Sequence, residues 1–169
     1  MNLEVRPIEA HELDAVSEGL STRPRATHER RIEFQSQGGF VYLVAWLDGA
    51  AVGHVGLGFV DGRRIEDLCE FRGYPIVSDL LVEPAHRGKG IGRALMEALE
   101  DAAREAGERG VALDTGTDET FAVSRALYRS MGYRDQGGVF LGGWSDPEQP
   151  GVHFCDPLTI WLKELSRPG

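Results

Sequence analysis

Cysteine is scarce: the chain of 169 residues holds two, Cys69 and Cys155, far apart and with no CxxC pair. That spacing offers neither a disulfide framework nor a cysteine-rich metal site, so two reduced, partly buried thiols and no metal are expected. Long apolar runs are missing as well. No window approaches the roughly 18 apolar residues of a membrane span, so no membrane partner is expected. The opening segment, MNLEVRPIEAHELDAV, has no apolar core behind a basic start and does not read as a secretory signal. A cytoplasmic location is the resulting expectation. Positive charge is in deficit too, with Lys+Arg 18 against Asp+Glu 27 and a net charge of −9. A general nucleic-acid binder needs a basic surface to displace counterions, so that class is set aside. Internal repeats and low-complexity tracts are also lacking, and a single domain over residues 1–169 is expected.

Glycine, by contrast, is abundant: the chain holds 22, about twice the share expected of an average protein. Sharp turns or close backbone approaches are implied. The order of elements can be read from periodicity. Leu3–Arg6 is a short strand, and a helix follows from Ala10 with Leu13, Val16 and Leu20 near the helical period. The polar stretch Ser21–Gln37 holds a second short helix through His28–Phe34. Two apolar runs, Phe40–Leu47 and Ala51–Val60, flank Asp48-Gly49 and predict a β-hairpin. Asp61–Tyr74 is a mixed-charge loop without period. Pro75–Val82 is a strand, and a helix from Gly90 to Ala106 carries Ile91, Leu95, Leu99, Ala102 and Ala106 on one face. Val111–Thr115 is a strand, Glu119–Met131 a helix, and the tail through HFCDPLTIWL suits one or two antiparallel strands. The pattern predicts a mixed α/β domain.

The most informative segment is Arg87-Gly88-Lys89-Gly90-Ile91-Gly92-Arg93, between a buried strand and a helix start. Alternating glycines let backbone N–H groups face outward. The helix amino terminus adds about half a positive charge, so the loop suits an anion, most naturally phosphate. A tight turn with solvated basic side chains is the plainer alternative. The spacing is not that of a Walker loop, which needs GxxxxGK and then Ser or Thr. Nor is it the dinucleotide GxGxxG, because position 93 is Arg and the loop follows several earlier strands.

These residues resemble the GNAT N-acetyltransferase family. Arg87–Gly92 matches its R/Q-x-x-G-x-G/A signature, and Leu81-Val82-Glu83-Pro84 looks like the family's strand exit. Leu127-Tyr128-Arg129-Ser130-Met131-Gly132-Tyr133 resembles its LYxxxGF close, and the element order fits over nearly the whole chain. The resemblance implies a mostly antiparallel central sheet flanked by helices, and transfer of acetyl from acetyl-CoA directly to a primary amine. A non-catalytic acyl-CoA-binding module on the same fold is the alternative. It further implies that the pyrophosphate lies on Arg87, Gly88, Lys89, Gly90, Ile91 and Gly92, with Arg93 as an extra contact. The backbone of Leu80, Leu81 and Val82 would pair with the pantetheine arm and the acetyl carbonyl. Tyr128 matches the tyrosine that protonates the departing thiolate. Asp79 stands where the family commonly keeps a base for the amine; a strand carboxylate paired with a nearby arginine is its plainer reading. His54 is expected to be a satisfied core histidine. One position departs from the pattern: Phe121 replaces an asparagine that touches the cofactor, while Ser124 matches the usual small residue. The acceptor, a small-molecule or peptide amine, is left open, as is homodimer formation.

Overall fold

Alternation of apolar residues on either side of Asp48-Gly49 produces the hairpin that organises the first part of the chain. Both turn residues have positive φ, at 48° and 87°, the geometry whose twist matches that of paired strands. The computed structural model describes residues 2–59, 73–145 and 153–166. The chain divides into two compact units, Met1–Val111 with Glu164–Gly169, and Ala112–Lys163.

In the first unit, β1 (Leu3–Pro7), β2 (Phe40–Leu47), β3 (Ala50–Gly58) and β4 (Ile76–Val82) pair antiparallel in that order. The first helix begins as a 3-10 turn, Ala10–Glu12, and continues as α1 (Leu13–Gly19). The second, α2 (Arg25–Ser36), is longer than its apolar pattern predicts, because its residues are mostly polar and only His28 is fully buried. Val16 of α1 and Leu20 at its end pack with Tyr42, Val44 and Trp46 of β2, and Ile8 and Ala51 close the cluster. Burying side chains of this size contributes about 1.5–3 kcal/mol each before entropy is counted.

The third helix, α3 (Ile91–Glu105), buries Ile91, Leu95, Met96, Leu99 and Ala103. Its core stripe is rotated from the expected one: Ala102 is half-buried, and Ala106, past the last full turn, is exposed. Leu95 packs beside Gly53 of β3, where an added Cβ would lie 3.2 Å from the leucine methyl. Glycine at that position lets helix and sheet approach closely.

The second unit holds most of β5 (Gly110–Gly116), then a 3-10 turn, α4 (Ala122–Ser130), β6 (Arg134–Asp135), β7 (Phe140–Ser145) and β8 (His153–Glu164). β8 lies beside β5 and pairs antiparallel with both β6 and β7. The mixed α/β, mainly antiparallel architecture expected from the resemblance is the one found. Cys155, expected to be partly buried, is free and exposed on β8. Its strand pairs Cys155 with Gly143, a residue without a side chain to cover it. Cys69 and most of the Asp61–Tyr74 loop lie outside the described residues.

Candidate active site

The loop expected to hold phosphate begins where β4 ends. The N–H of Glu83 donates to the carbonyl of Val52 at 2.9 Å, and Pro84–His86 forms one 3-10 turn. Gly88 and Gly90 then take φ of +74° and +80°, a region costly for residues with a Cβ. A Cβ at either position would meet nothing within 4 Å. The glycines are therefore required by backbone conformation and not by crowding. Gly92 differs from the expectation: it has no positive φ and lies in the first turn of α3, so the bend is made by Gly88 and Gly90. Ile91 is buried and anchors the helix start, while residues 87–90 are exposed. The first N–H groups of a helix have no intrahelical acceptor, so the loop presents donors and a positive dipole end to solvent.

The basic side chains are partly engaged. Arg87 Nε donates to the Val82 carbonyl at 2.9 Å and Lys89 Nζ to the Ala85 carbonyl at 3.4 Å. Arg93 lies 3.9 Å from Glu97 on the next turn of α3. Arg87 thus ties the loop back to the strand that precedes it.

That strand is irregular. Register runs from Gly53↔Val82 and His54↔Leu81 to Gly56↔Ser78, so Asp79 and Leu80 together oppose Val55 alone. An extra residue on one strand is a β-bulge, which interrupts the ladder and redirects the backbone. Asp79 carries it at φ +52°, a left-handed conformation that aspartate tolerates better than most residues. Simple alternation, which places Asp79 opposite to Leu80, therefore breaks down here. Leu80, Leu81 and Val82 are half-buried just beyond the bulge.

The Asp79 carboxylate is held by two arginines from outside the sheet. Arg23 donates through Nε to Oδ2 at 2.9 Å and through Nη2 to Oδ1 at 2.6 Å. Arg31, on α2, makes a very short contact from Nη2 to Oδ2, and its Nη1 lies 3.1 Å from Nδ1 of His54. The side chains of Arg31 and Asp79 are 12% and 20% exposed. Burial works to raise the proton affinity of Asp79, but the hydrogen bonds from Arg23 and the charge of Arg31 outweigh it and hold the carboxyl well below the usual range. Because a guanidinium has no acceptor, His54 must receive at Nδ1 and carry its proton on Nε2. That nitrogen has no hydrogen-bond partner and lies 4.0 Å from Asp79 Oδ2. His54 is fully buried, and burial with the nearby Arg31 charge depresses it to about 3. It is a core histidine, as expected, but satisfied at one nitrogen only. His28 and Tyr42 complete the cluster with a 2.7 Å Nδ1–hydroxyl contact.

In the second unit, Tyr128 on α4 is buried against the edge of Tyr133, ring centroids 6.0 Å apart. Burial, with a smaller contribution from Asp114, pushes its phenol up to about 12. The Tyr128 carbonyl accepts N–H bonds from Met131 and Tyr133, which close the helix. Ser124 is half-buried on the same helix, and Phe121 is 41% exposed. The Phe121 ring covers Gly116: a Cβ there would come within 2.3 Å of it.

Sequence reasoning placed the loop, β4 and Tyr128 on the elements that carry them, and missed Arg23, Arg31 and the Phe121–Gly116 contact. His28 and Arg31, three residues apart, share a helix face, and that spacing was the available signal for a polar cluster. Among the described residues, no group of three or more His, Cys, Asp or Glu comes together to hold a metal. No helix there is long and apolar enough to cross a membrane.

Comparison with known proteins matches residues 8–133 to the acetyltransferase (GNAT) family. The IAA acetyltransferase of Azospirillum brasilense is 43% identical over 92 residues, 54% of this chain and 52% of that protein. The L-methionine sulfoximine/L-methionine sulfone acetyltransferase of Salmonella typhimurium is 34% identical over 113 residues, 64% of this chain and 61% of that protein. The matched region thus spans between half and two thirds of these relatives. Among solved structures, yncA, a putative acetyltransferase from Salmonella typhimurium with its cofactor acetyl-CoA, superposes with a TM-score of 0.72 at 24% identity. That alignment covers 100% of this chain and 97% of the other. With its sheet, its loop before α3 and its tyrosine-bearing helix in family order, the chain belongs to the GNAT acetyltransferase family.

Proposed function

We propose that the chain is an acetyl-CoA-dependent N-acetyltransferase that moves acetyl to a primary amine by direct attack in a ternary complex. The observation that carries this reading is the loop itself: two glycines at positive φ, exposed, with open space above them, on the amino terminus of a 15-residue helix. An open cradle of backbone donors fits a pyrophosphate. Residues 87–92 would hold it, and Arg93 is near enough in sequence to add charge.

Bound there, acetyl-CoA would supply a thioester whose acyl carbon bonds to the amine nitrogen as the carbon–sulfur bond breaks, with one amine proton passing to solvent and one proton reaching the released thiolate. The bulge at Asp79 and Leu80 redirects β4 before its pairing with β3 resumes at Leu81 and Val82. The backbone groups of Leu80–Val82 that are not used by β3 would pair with the pantetheine arm and polarise the acetyl carbonyl. Such polarisation can contribute several kcal/mol. Tyr128 donates toward the departing sulfur. A phenol pushed up to about 12 stays protonated throughout the physiological range, so a donor is always present. The same burial makes it a weaker acid, so its chief contribution is a hydrogen bond to the developing charge. Asp79 stands where a base was expected, yet both its oxygens already accept from guanidiniums.

That last observation favours one second reading, a non-catalytic acyl-CoA-binding module. Thermal unfolding with acetyl-CoA, CoA, ATP and NAD supplied separately tests the cofactor. Saturation a hundredfold above the dissociation constant adds about 2.7 kcal/mol of stability. A shift with acetyl-CoA and CoA alone supports the assignment, and no shift with either overturns it. Release of free thiol across a panel of amines then separates enzyme from module.

A further inference from the structure

From the geometry around β4 we infer that Arg31 and Arg23 are positioning residues for acyl transfer: by clamping Asp79 they fix the kink that aims Leu80–Val82, and Asp79 takes no proton itself. The inference deepens the proposed function and rests on it for the meaning of turnover.

Three observations carry it. The bulge residue is not glycine, although φ is +52°, and an aspartate in that conformation needs its surroundings to hold it there. Its side chain is gripped from two directions, by Arg23 56 residues away and by Arg31 48 residues away. Beyond the cofactor-pairing stretch, Glu83 is held in turn by Thr22, through both the backbone N–H at 3.3 Å and the hydroxyl. Polar ties from residues 22–31 therefore bracket Leu80–Val82 at both ends. These are long-range contacts at either end of a strand whose pairing is interrupted at Asp79 and Leu80 and resumes at Leu81 and Val82, so the ties fix the direction in which the bulge sends the backbone. A carboxylate serving as base needs a free lone pair aimed at the amine. Here Oδ2 accepts from both Arg23 and Arg31 and Oδ1 accepts from Arg23, so three of the carboxylate's hydrogen-bonding positions are already engaged by guanidiniums.

The test compares wild type with Asp79→Asn, Asp79→Gly, Arg31→Met and Arg31→Lys. Three readouts are taken: kcat and KM for acetyl-CoA, the pH profile of kcat between the titrating groups Asp79, His54 and His28, and hydrogen exchange of the Leu80–Val82 amides. Misaimed reacting groups lose on the order of 10–100-fold in rate, so Asp79→Asn and Arg31→Met should both fall by about that factor. Their acidic limb should stay where it is in wild type, and Leu80–Val82 should exchange faster. Arg31→Lys should recover part of the rate. Asp79→Gly relaxes the backbone but keeps no clamp, and should do no better than Asp79→Asn. The inference is overturned if Arg31→Met turns over like wild type while Asp79→Asn alone loses the acidic limb, which would make Asp79 the base. Unchanged exchange of Leu80–Val82 in both variants overturns it equally. Should Asp79→Asn fail to fold, the two Arg31 variants decide. If wild type neither binds CoA nor acetylates an amine, the functional reading falls, and amide exchange still decides the clamp.

Discussion

Around Gly88 and Gly90, positive potential is made by the backbone and left open to solvent; around Asp79, two guanidiniums hold one half-buried carboxylate beside the buried His28, Tyr42 and His54. Both regions concentrate positive charge beside the same strand of the first unit. The difference lies in who provides the anion. Beside the loop, Glu97 lies near Arg93, and in the proposed function the anion at the helix terminus would come from a ligand. The cluster supplies its own. Charge paired in a half-buried site resists salt and competitors, whereas charge held in an exposed loop is screened within about 8–10 Å at ordinary ionic strength. The exposed loop suits the exchange of a ligand, and the paired cluster suits the keeping of a shape.

Breaking the loop gives the largest expected effect. Gly90→Val places a β-branched residue at φ +80°, strained by about 1–3 kcal/mol, and displaces the N–H groups that face the anion. Affinity for acetyl-CoA and CoA should fall by more than about 100-fold, since the lost donors add to that strain, as read by titration calorimetry. Unaltered affinity would remove the loop from the binding site.

Tyr128→Phe comes next and leaves the loop alone. Loss of a proton or hydrogen-bond donor should lower kcat by about 10²-fold with CoA affinity retained. Equal loss of kcat and affinity would mean that the tyrosine shapes the pocket only. In the same unit, Gly116→Ala forces the Phe121 ring to move, because the new Cβ has only 2.3 Å of room. A cost of about 1–3 kcal/mol in chemical denaturation is expected, and Gly116→Ala with Phe121→Ala should recover part of it.

The cluster is sharpened by pH. Tyr42, pushed by burial from 10.0 to about 12, binds its proton more tightly folded than unfolded. Its contribution is complete below pH 10 and lost as pH rises toward 12. His54 is depressed from 6.5 to about 3, so its contribution is complete above pH 6.5 and lost as pH falls toward 3. Unfolding midpoints should decline at both ends, with the acid decline reduced in His54→Leu. At the bottom of the scale stands Arg25, whose contacts with Asp14 and Glu29 are exposed. Arg25→Ala should leave Tm unmoved, in contrast with Arg31→Met, although both remove an arginine–carboxylate pair from the same helix.

Much of this fold was legible because its signals are local. The hairpin followed from Asp48-Gly49, the start of α3 from three alternating glycines, and the close of α4 from Leu127–Tyr133. Helix α2 was underestimated because its face toward the core is made by His28 and Arg31 and not by an apolar stripe. The conformation of Asp79 was hidden by the regular alternation of the strand around it. Nothing adjacent in sequence marks a bulge there, and the arginines that hold its carboxylate lie dozens of residues away.

The sequence by itself determined the order of strands and helices, the glycine-turned loop before α3, and the family to which these motifs belong, since each depends on residues within a turn or two of one another. Only the tertiary structure decided that Asp79 is a clamped carboxylate at a left-handed kink, that His54 keeps its proton on Nε2, and that Phe121 lies on Gly116. The first two depend on which distant groups burial brings within hydrogen-bonding range, and the third on how the turn between β5 and α4 folds back, and such proximity is set by packing within each unit.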